Sequence, residues 1–201
     1  MTDKELCDLI SEARKIVLPE NHYDSLGQRM VMLFNWNDLP EVITASEMDR
    51  ETRKPALYRT IQGCESKGIT APQLKDDLLT GSVINLGGWG GRQWGNGIYF
   101  TEDLTYSQSF AKTEDALTVR AVFNGKEKIV DERELFFHIA PDFLKAHPKF
   151  AKAVNAVLLI ISPDLYAPIA MLTGYNVISG KDYGKYKVYS VLNRGVLRIC
   201  A

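Results

Sequence analysis

Cysteine, long apolar runs and a bias toward one sign of charge are all scarce in this sequence of 201 residues. Its three cysteines, Cys7, Cys64 and Cys200, are odd in number and lie far apart. Their spacing excludes a cysteine-based metal site and argues against a disulfide framework. We therefore expect buried or idle thiols, in a protein of the reducing cell interior.

The apolar runs are too short for a membrane protein. The longest, residues 153–161, cannot cross a bilayer. The first 15 residues are charged and polar and contain no apolar core of a signal peptide. We accordingly expect no signal peptide, no transmembrane segment, no membrane partner and a cytoplasmic location.

The charges are nearly balanced, with 24 Lys and Arg against 25 Asp and Glu and a net charge of −1. No basic excess indicates a nucleic-acid-binding protein, although a local basic patch stays compatible with this balance. With 45% hydrophobic and 24% charged residues, the composition is typical of a folded domain and not of a disordered chain.

The common sequence motifs of phosphate, dinucleotide and metal sites are also missing. The sequence contains neither the G-x-G-x-x-G fingerprint after a first strand nor the G-x-x-x-x-G-K-[ST] loop. It has no H-E-x-x-H, no paired C-x-x-C and no G-x-S-x-G. The three histidines, His22, His138 and His147, are isolated, which favours surface or core roles. We therefore expect no metal site.

Hydrophobic periodicity predicts helices first and short strands afterwards. This order favours an α+β fold with a twisted or split sheet over a doubly wound parallel sheet. We assign residues 1–52 to a helical segment packed on the domain and residues 53–201 to the domain itself. Helices are predicted at 3–16, 23–34, 72–80, 105–112 and 162–172, and residues 132–152 are predicted as helical or mixed. Strands are predicted at 56–61, 82–86, 97–101, 117–124, 128–131, 175–179 and 187–199, the last with a bend near Asn193–Gly195.

Three predictions concern the connections between these elements. Residues 38–40 and those after them are predicted as a turn. Residues 46–53 are predicted as a short polar helix or a loop, with Ser46 or Asp49 as its cap. The strand at 128–131 is predicted to continue the one at 117–124 after the Asn124–Gly125 turn.

The stretch "GRQWGNGIYFTEDLTYSQSF", residues 91–110, places a glycine at the start of a short aromatic strand. A glycine in a strand interior costs roughly 0.5–1 kcal/mol relative to alanine. We therefore expect some group to approach the backbone of Gly97 closely.

Three segments, taken together, resemble the ADP-ribosyltransferase superfamily. They are "LYRTIQG" at 57–63, "GNGIYFTEDLTYSQSFA" at 95–111 and "GYNVISGKDYGKYKVYSVLNRGVL" at 174–197. The sequence is most similar to ADP-ribosyltransferase-like domains of phages and prophages, which are often attached to head proteins. The likeness extends from about residue 24 to residue 199. It implies a split β-sandwich that binds NAD in a cleft and breaks the bond between nicotinamide and ribose.

The resemblance implies donor-binding roles for Arg59 and Thr60. An arginine at this point of the first strand holds the ribose or the pyrophosphate with a fork of donors. Many relatives have glycine where Thr60 stands, and in the polymerase type the glycine backbone holds the nicotinamide amide. Thr60 has the same backbone groups. The alternative for Arg59 is a surface arginine in an ordinary ion pair.

The resemblance also implies a nicotinamide site made by Tyr99, Ser107 and Phe110. At the same offsets of eight and eleven residues, the poly(ADP-ribose) polymerases carry a serine that bonds the carboxamide and a tyrosine that stacks on the ring. Tyr99 and Phe110 would sandwich nicotinamide, and Gly97 would leave room beside them. The alternative is that Tyr99 and Phe110 are core aromatics.

The glycine-rich stretch at 87–97 corresponds to the loop over NAD in this family. Trp89 and Trp94 are candidates to cover adenine or the nicotinamide side, and Arg92 is a candidate phosphate ligand. An ordinary surface loop with partly buried tryptophans is the alternative for this stretch.

The family's catalytic glutamate has no counterpart, because Val188 falls at or near its position and no Glu lies between 135 and 201. Asp182 is our first candidate to replace it and Glu102 the second, with a turn role as the alternative for Asp182. The Glu-x-Glu pair of arginine-specific transferases is absent as well.

The resemblance implies a mono-ADP-ribosyltransferase of phage or prophage origin that uses NAD as substrate and acts on a host macromolecule. The near-neutral charge favours a host protein as acceptor over a nucleic acid. Two alternatives stay open: a weak or inert binding or virion module that keeps the fold, and an NAD glycohydrolase with water as acceptor.

Overall fold

A computed structural model of the chain describes residues 2, 4–5, 38–62, 70–80, 94, 97–149 and 163–200. Its elements, in chain order, are β1 (Glu41–Ile43), α1 (Ala45–Arg50), β2 (Leu57–Ile61), α2 (Ala71–Thr80), β3 (Ile98–Thr101), α3 (Leu104–Gln108), β4 (Leu117–Phe123), β5 (Ile129–Asp131), α4 (Glu132–Glu134), a π-helical turn (Leu135–Ile139), α5 (Ala140–Ala146), α6 (Pro163–Leu172), β6 (Val177–Asp182), β7 (Tyr186–Val191), a 3₁₀ turn (Arg194–Val196) and β8 (Leu197–Cys200).

The eight strands join in the order β1-β8-β4-β2-β3-β7-β6-β5. Neighbouring strands are antiparallel except at the two outer ends, where β1–β8 and β5–β6 are parallel. One large mixed sheet with few helices fits the predicted α+β class. In the part of the chain that the structure describes, no helix has the length and apolar character needed to cross a membrane.

The sheet is nearly divided at its centre. Strands β2 and β3 share one residue pair, Tyr58 opposite Thr101. By contrast, β2 pairs with β4 along all of Leu57–Ile61, and β3 pairs with β7 along all of Ile98–Thr101. The strands therefore form two groups of four, β1-β8-β4-β2 and β3-β7-β6-β5, which meet at a single pair.

Alternating apolar residues explain why the central strands bury one face. Leu57 and Ile61 of β2 lie in the same core as Phe100 of β3 and Val191 of β7. Helix α2 covers this core with three buried residues at helical spacing, Ala71, Leu74 and Leu78.

Arg194 is the largest of the fully buried side chains in the described chain. Its guanidinium donates to the carbonyl oxygens of Asp77 and Leu78 near the end of α2 and to that of Asp38. These bonds join the end of α2 to the 3₁₀ turn before β8 and to the chain before β1. Burial lowers the pKa of Arg194, with the Asp38 charge acting in the opposite direction.

For most predicted elements of the described region, the predicted type, helix or strand, is confirmed. Helix α3 is shorter than predicted, because it ends at Gln108 and not at 112. The predicted strand at 82–86 and the helix at 23–34 lie outside the described residues, as does nearly all of the helix at 3–16. The confirmed predictions are the strands at 56–61, 97–101, 117–124 and 175–179 and the helices at 72–80 and 162–172. The strand predicted at 187–199 is instead two strands, β7 and β8, which the 3₁₀ turn separates and which lie in different halves of the sheet.

The segments that connect these elements differ more from their predictions. Residues 41–43 form strand β1 beside β8 where a turn was predicted. The cap of α1 is Thr44, and neither Ser46 nor Asp49, because the Thr44 hydroxyl accepts from the Glu47 backbone N–H while the Glu47 carboxylate accepts from the Thr44 backbone N–H.

Strand β5 does not continue β4, so the prediction that the strand at 128–131 extends the one at 117–124 is wrong. It lies at the far end of the sheet, parallel to β6, with Val130 opposite Ile178. Its central residue Val130 is buried in the core, so hydrophobic burial and pairing with β6 take precedence over a local extension of β4.

Candidate functional site

Side-chain alternation places a set of residues on one face of the sheet where its halves meet. Cross-strand pairs fix this face: Tyr58 lies opposite Thr101, Thr101 opposite Val188, and Val188 opposite Gly180. We call it the seam face. It includes Tyr58, Thr60, Tyr99, Thr101, Gly180, Asp182, Val188 and Ser190.

Two residues predicted to bind nicotinamide meet on this face. The hydroxyl oxygens of Thr60 and Ser107 lie 3.1 Å apart, and Thr60 also lies 3.2 Å from the hydroxyl of Thr118. Ser107 belongs to α3, which begins where Asp103 accepts from the Tyr106 backbone N–H. The helix start therefore directs Ser107, which is 2% exposed, against β2.

Arg59 crosses the junction between the halves. Its Nη1 donates to the carbonyl oxygen of Tyr99 at 3.3 Å, and the side chain is half-buried. This contact joins the two halves of the sheet. Arg59 and Tyr99, predicted from separate segments, are therefore in direct contact.

Tyr99 has Trp94 as its neighbour. The Trp94 backbone N–H donates to the Tyr99 hydroxyl at 2.9 Å, and the two rings stack with centroids 6.0 Å apart at 25°. Trp94 is 3% exposed. One member of the predicted donor loop thus lies against the predicted nicotinamide-facing tyrosine, whereas Trp89 and Arg92 lie outside the described residues.

Phe110 stands at the end of an aromatic row. It meets Tyr106 edge-on at 5.0 Å, and Tyr106 stacks flat on Tyr186 at 3.9 Å and 2°. Phe110 is 43% exposed, which excludes the core role that was its alternative. A half-exposed ring with a fixed edge contact leaves a face accessible for stacking.

The close approach predicted at Gly97 comes from the protein itself. A Cβ atom on Gly97 would overlap the hydroxyl oxygen of Ser190. The space that the sequence suggested for a ligand is therefore filled by Ser190. This hydroxyl is fully buried and has no hydrogen-bond partner among the described residues.

The two predicted carboxylates lie on opposite faces. Asp182 is on the seam face and accepts from the Tyr106 hydroxyl. Glu102 accepts from the Tyr189 hydroxyl and, by alternation after Thr101, points away from the seam face. Burial, and then the bonded carboxylate, raises the pKa of both tyrosines, so both phenols keep their protons at neutral pH.

A third acid, Glu132, was missed from the sequence. The Trp94 indole N–H donates to its Oε2, and its carboxyl group lies over Gly180, where a Cβ atom would overlap it. Glu132 follows β5 directly, so only the parallel pairing of β5 with β6 brings it to the seam face. The sequence contains no spacing that would have indicated it.

The donors of this site suit an organic ligand. Among the described residues, no group of three or more His, Cys, Asp or Glu side chains is arranged to hold a metal ion. The site instead combines a guanidinium, hydroxyl groups, aromatic rings and half-buried carboxylates. Such groups recognise phosphate, amide and sugar hydroxyl groups.

The chain matches no family model, no curated protein and no solved structure. Its function is therefore inferred from the residues and from their geometry.

Proposed function

We propose that this protein is an NAD-dependent mono-ADP-ribosyltransferase of phage or prophage type that acts on a host macromolecule. One observation supports this most: Arg59 and Thr60 come from one segment, Tyr99 and Ser107 come from another, and all four meet where the sheet halves join. Arg59 contacts Tyr99 at 3.3 Å, and Thr60 contacts Ser107 at 3.1 Å. The near-division of the sheet at that point also fits a cleft fold.

In this proposal the site holds NAD by its two ends. Arg59 binds the pyrophosphate or the ribose through paired guanidinium donors. Tyr99 and Phe110 hold the nicotinamide ring, and the backbone of Thr60 with the hydroxyl of Ser107 takes its carboxamide. The aromatic row behind Phe110 supports the stacking, because Tyr106 fixes the edge of its ring.

The reaction needs negative charge beside the ribose. When the nicotinamide bond breaks, positive charge develops on the sugar, and a carboxylate nearby lowers the barrier. Asp182 lies on the seam face and is the better placed of the two acids named from the sequence. The phenol of Tyr106 orients it.

A host protein is the proposed acceptor, and a nucleic acid is the second possibility. The test is incubation of the purified protein with cell extract and NAD labelled in its adenosine part. Label on protein supports the proposal, and label on nucleic acid changes only the acceptor. Free ADP-ribose alone identifies a glycohydrolase. Bound but unconsumed NAD identifies an inert module.

The test is repeated with the variant Arg59→Ala, and Arg53→Ala serves as its matched control. Arg53 is an exposed arginine on the loop before β2. Loss of labelling with the first variant alone ties the activity to the junction between the two sheet halves. Equal labelling by all three proteins would assign the activity elsewhere.

A further inference from the structure

Glu132 occupies a position on the seam face that neither sequence motif nor strand order suggested. It is the first residue of α4, directly after β5, and Asp131 at the end of β5 lies opposite Ser179. The chain therefore delivers Glu132 beside the next residue of β6, Gly180. Because Gly180 has no side chain, both the Glu132 carboxyl group and the Trp94 ring lie over the strand.

The contacts of Glu132 link it to Tyr99. The Trp94 indole N–H donates to Glu132 Oε2, and the same indole stacks on the Tyr99 ring. One side chain therefore separates the carboxylate from the proposed nicotinamide-facing tyrosine. The hydrogen bond also fixes the orientation of the carboxylate, and a catalytic group must be held in a fixed orientation toward its substrate.

The strand register places Glu132 nearer to Tyr99 than Asp182, and on the same face as Tyr99, unlike Glu102. Gly180 lies opposite Val188, two residues along β7 from Ser190, the partner of Tyr99. At a strand rise of about 3.3 Å, that is about 7 Å from the Tyr99 pair along the strand. Asp182 lies opposite Tyr186 and is about 13 Å away by the same measure. Glu102 points to the opposite face.

We propose that Glu132 is the carboxylate that stabilises the ribose during transfer, an inference that rests on the proposed function. In this step the bond between ribose C1′ and the nicotinamide nitrogen breaks, and its electron pair leaves with neutral nicotinamide. The carboxylate faces the positive charge on C1′ and the ring oxygen. A nucleophilic atom of the acceptor then bonds to C1′ from the open side and releases its proton.

Glu132→Gln is the decisive variant, because glutamine keeps the shape and can still accept from the Trp94 indole. We expect transfer to fall roughly 100-fold or more while NAD affinity changes little. Glu134→Gln is the matched control, since Glu134 is an exposed acid of the same short helix. It should transfer at the wild-type rate.

Glu132→Asp separates charge from structure. It keeps the carboxylate but draws it back by one methylene, so we expect a rate between those of wild type and Glu132→Gln. Direct NAD binding and thermal unfolding are measured on each variant. A rate loss that merely follows loss of NAD binding or of folded protein would assign Glu132 a structural role and overturn the inference.

The experiment distinguishes a failure of the Glu132 inference from a failure of the proposed function. If wild type transfers ADP-ribose and Glu132→Gln does so equally fast, this inference alone is wrong. If wild type neither consumes NAD nor releases nicotinamide, the proposed function is wrong and the inference falls with it. The wild-type measurement is made first and separates the two.

Discussion

The hydroxyl groups of Thr60 and Ser107 lie 3.1 Å apart although 47 residues separate them in the chain. One is on β2 and the other on α3, so the bond joins the helix to one half of the sheet beside the junction. Tyr99 lies across that junction on β3, where its carbonyl oxygen accepts from Arg59. The candidate site therefore depends on contacts between segments that are distant in sequence.

Phe110→Ala should weaken the binding of nicotinamide and NAD about two- to tenfold, which corresponds to a stacking energy of about 0.5–1.5 kcal/mol. Stability should change little, because Phe110 is half-exposed. Calorimetric titration and urea unfolding measure the two effects. Phe137→Ala, at a ring that is 64% exposed, is the control. If Phe110→Ala lost stability and showed no selective loss of nicotinamide or NAD binding, Phe110 would have only a packing role.

Arg59→Lys should already weaken NAD binding, by roughly 10- to 100-fold, because lysine cannot make a bidentate contact. Arg53→Lys should bind NAD like wild type. Equilibrium binding by fluorescence or calorimetry decides between them. Unchanged affinity in both Arg59→Lys and Arg59→Ala would mean that Arg59 only joins the two halves of the sheet.

Asp182→Asn and Glu102→Gln test the acids named from the sequence. If Asp182 acts on the ribose, Asp182→Asn should lower the transfer rate by roughly 100-fold with little change in NAD affinity. Glu102→Gln should keep the wild-type rate, since Glu102 points away from the seam face. Near-wild-type rates for both variants would leave neither acid a catalytic role. A slow Glu102→Gln variant would contradict the geometry.

Gly97→Ala should lower the free energy of unfolding by about 1–3 kcal/mol, because the new methyl group meets the Ser190 hydroxyl. Ser190→Ala alone should be nearly neutral, since it removes a buried hydroxyl that has no partner among the described residues. Combining the two should recover part of the loss in a double-mutant cycle. Additive effects in urea unfolding would show that the two residues do not interact.

The central strands were predictable because their information is local. Strands β2, β3 and β4 each carry alternating apolar residues with β-branched or aromatic members. Helix α2 was predictable for the same kind of reason, with three buried residues at helical spacing. The likeness of three segments to one superfamily also selected Arg59, Thr60, Tyr99 and Ser107, which do lie together.

The remainder could not be predicted because it depends on pairing across the chain. Strand β5 has a single buried residue, Val130, and finds its parallel partner β6 only in three dimensions. The position of Glu132 follows from that pairing, so no local pattern indicates it. At Gly97 the sequence did indicate a close approach, but it could not identify Ser190, 93 positions later, as the group involved.

The most direct test of the proposed transferase activity is the release of nicotinamide from NAD labelled in its nicotinamide ring. The full chain is incubated with this NAD and cell extract, and free label is measured over time beside Arg59→Ala. We expect steady release by wild type, accompanied by ADP-ribose on an acceptor, and loss of both with Arg59→Ala. No release by wild type, or equal release by Arg59→Ala, would contradict it.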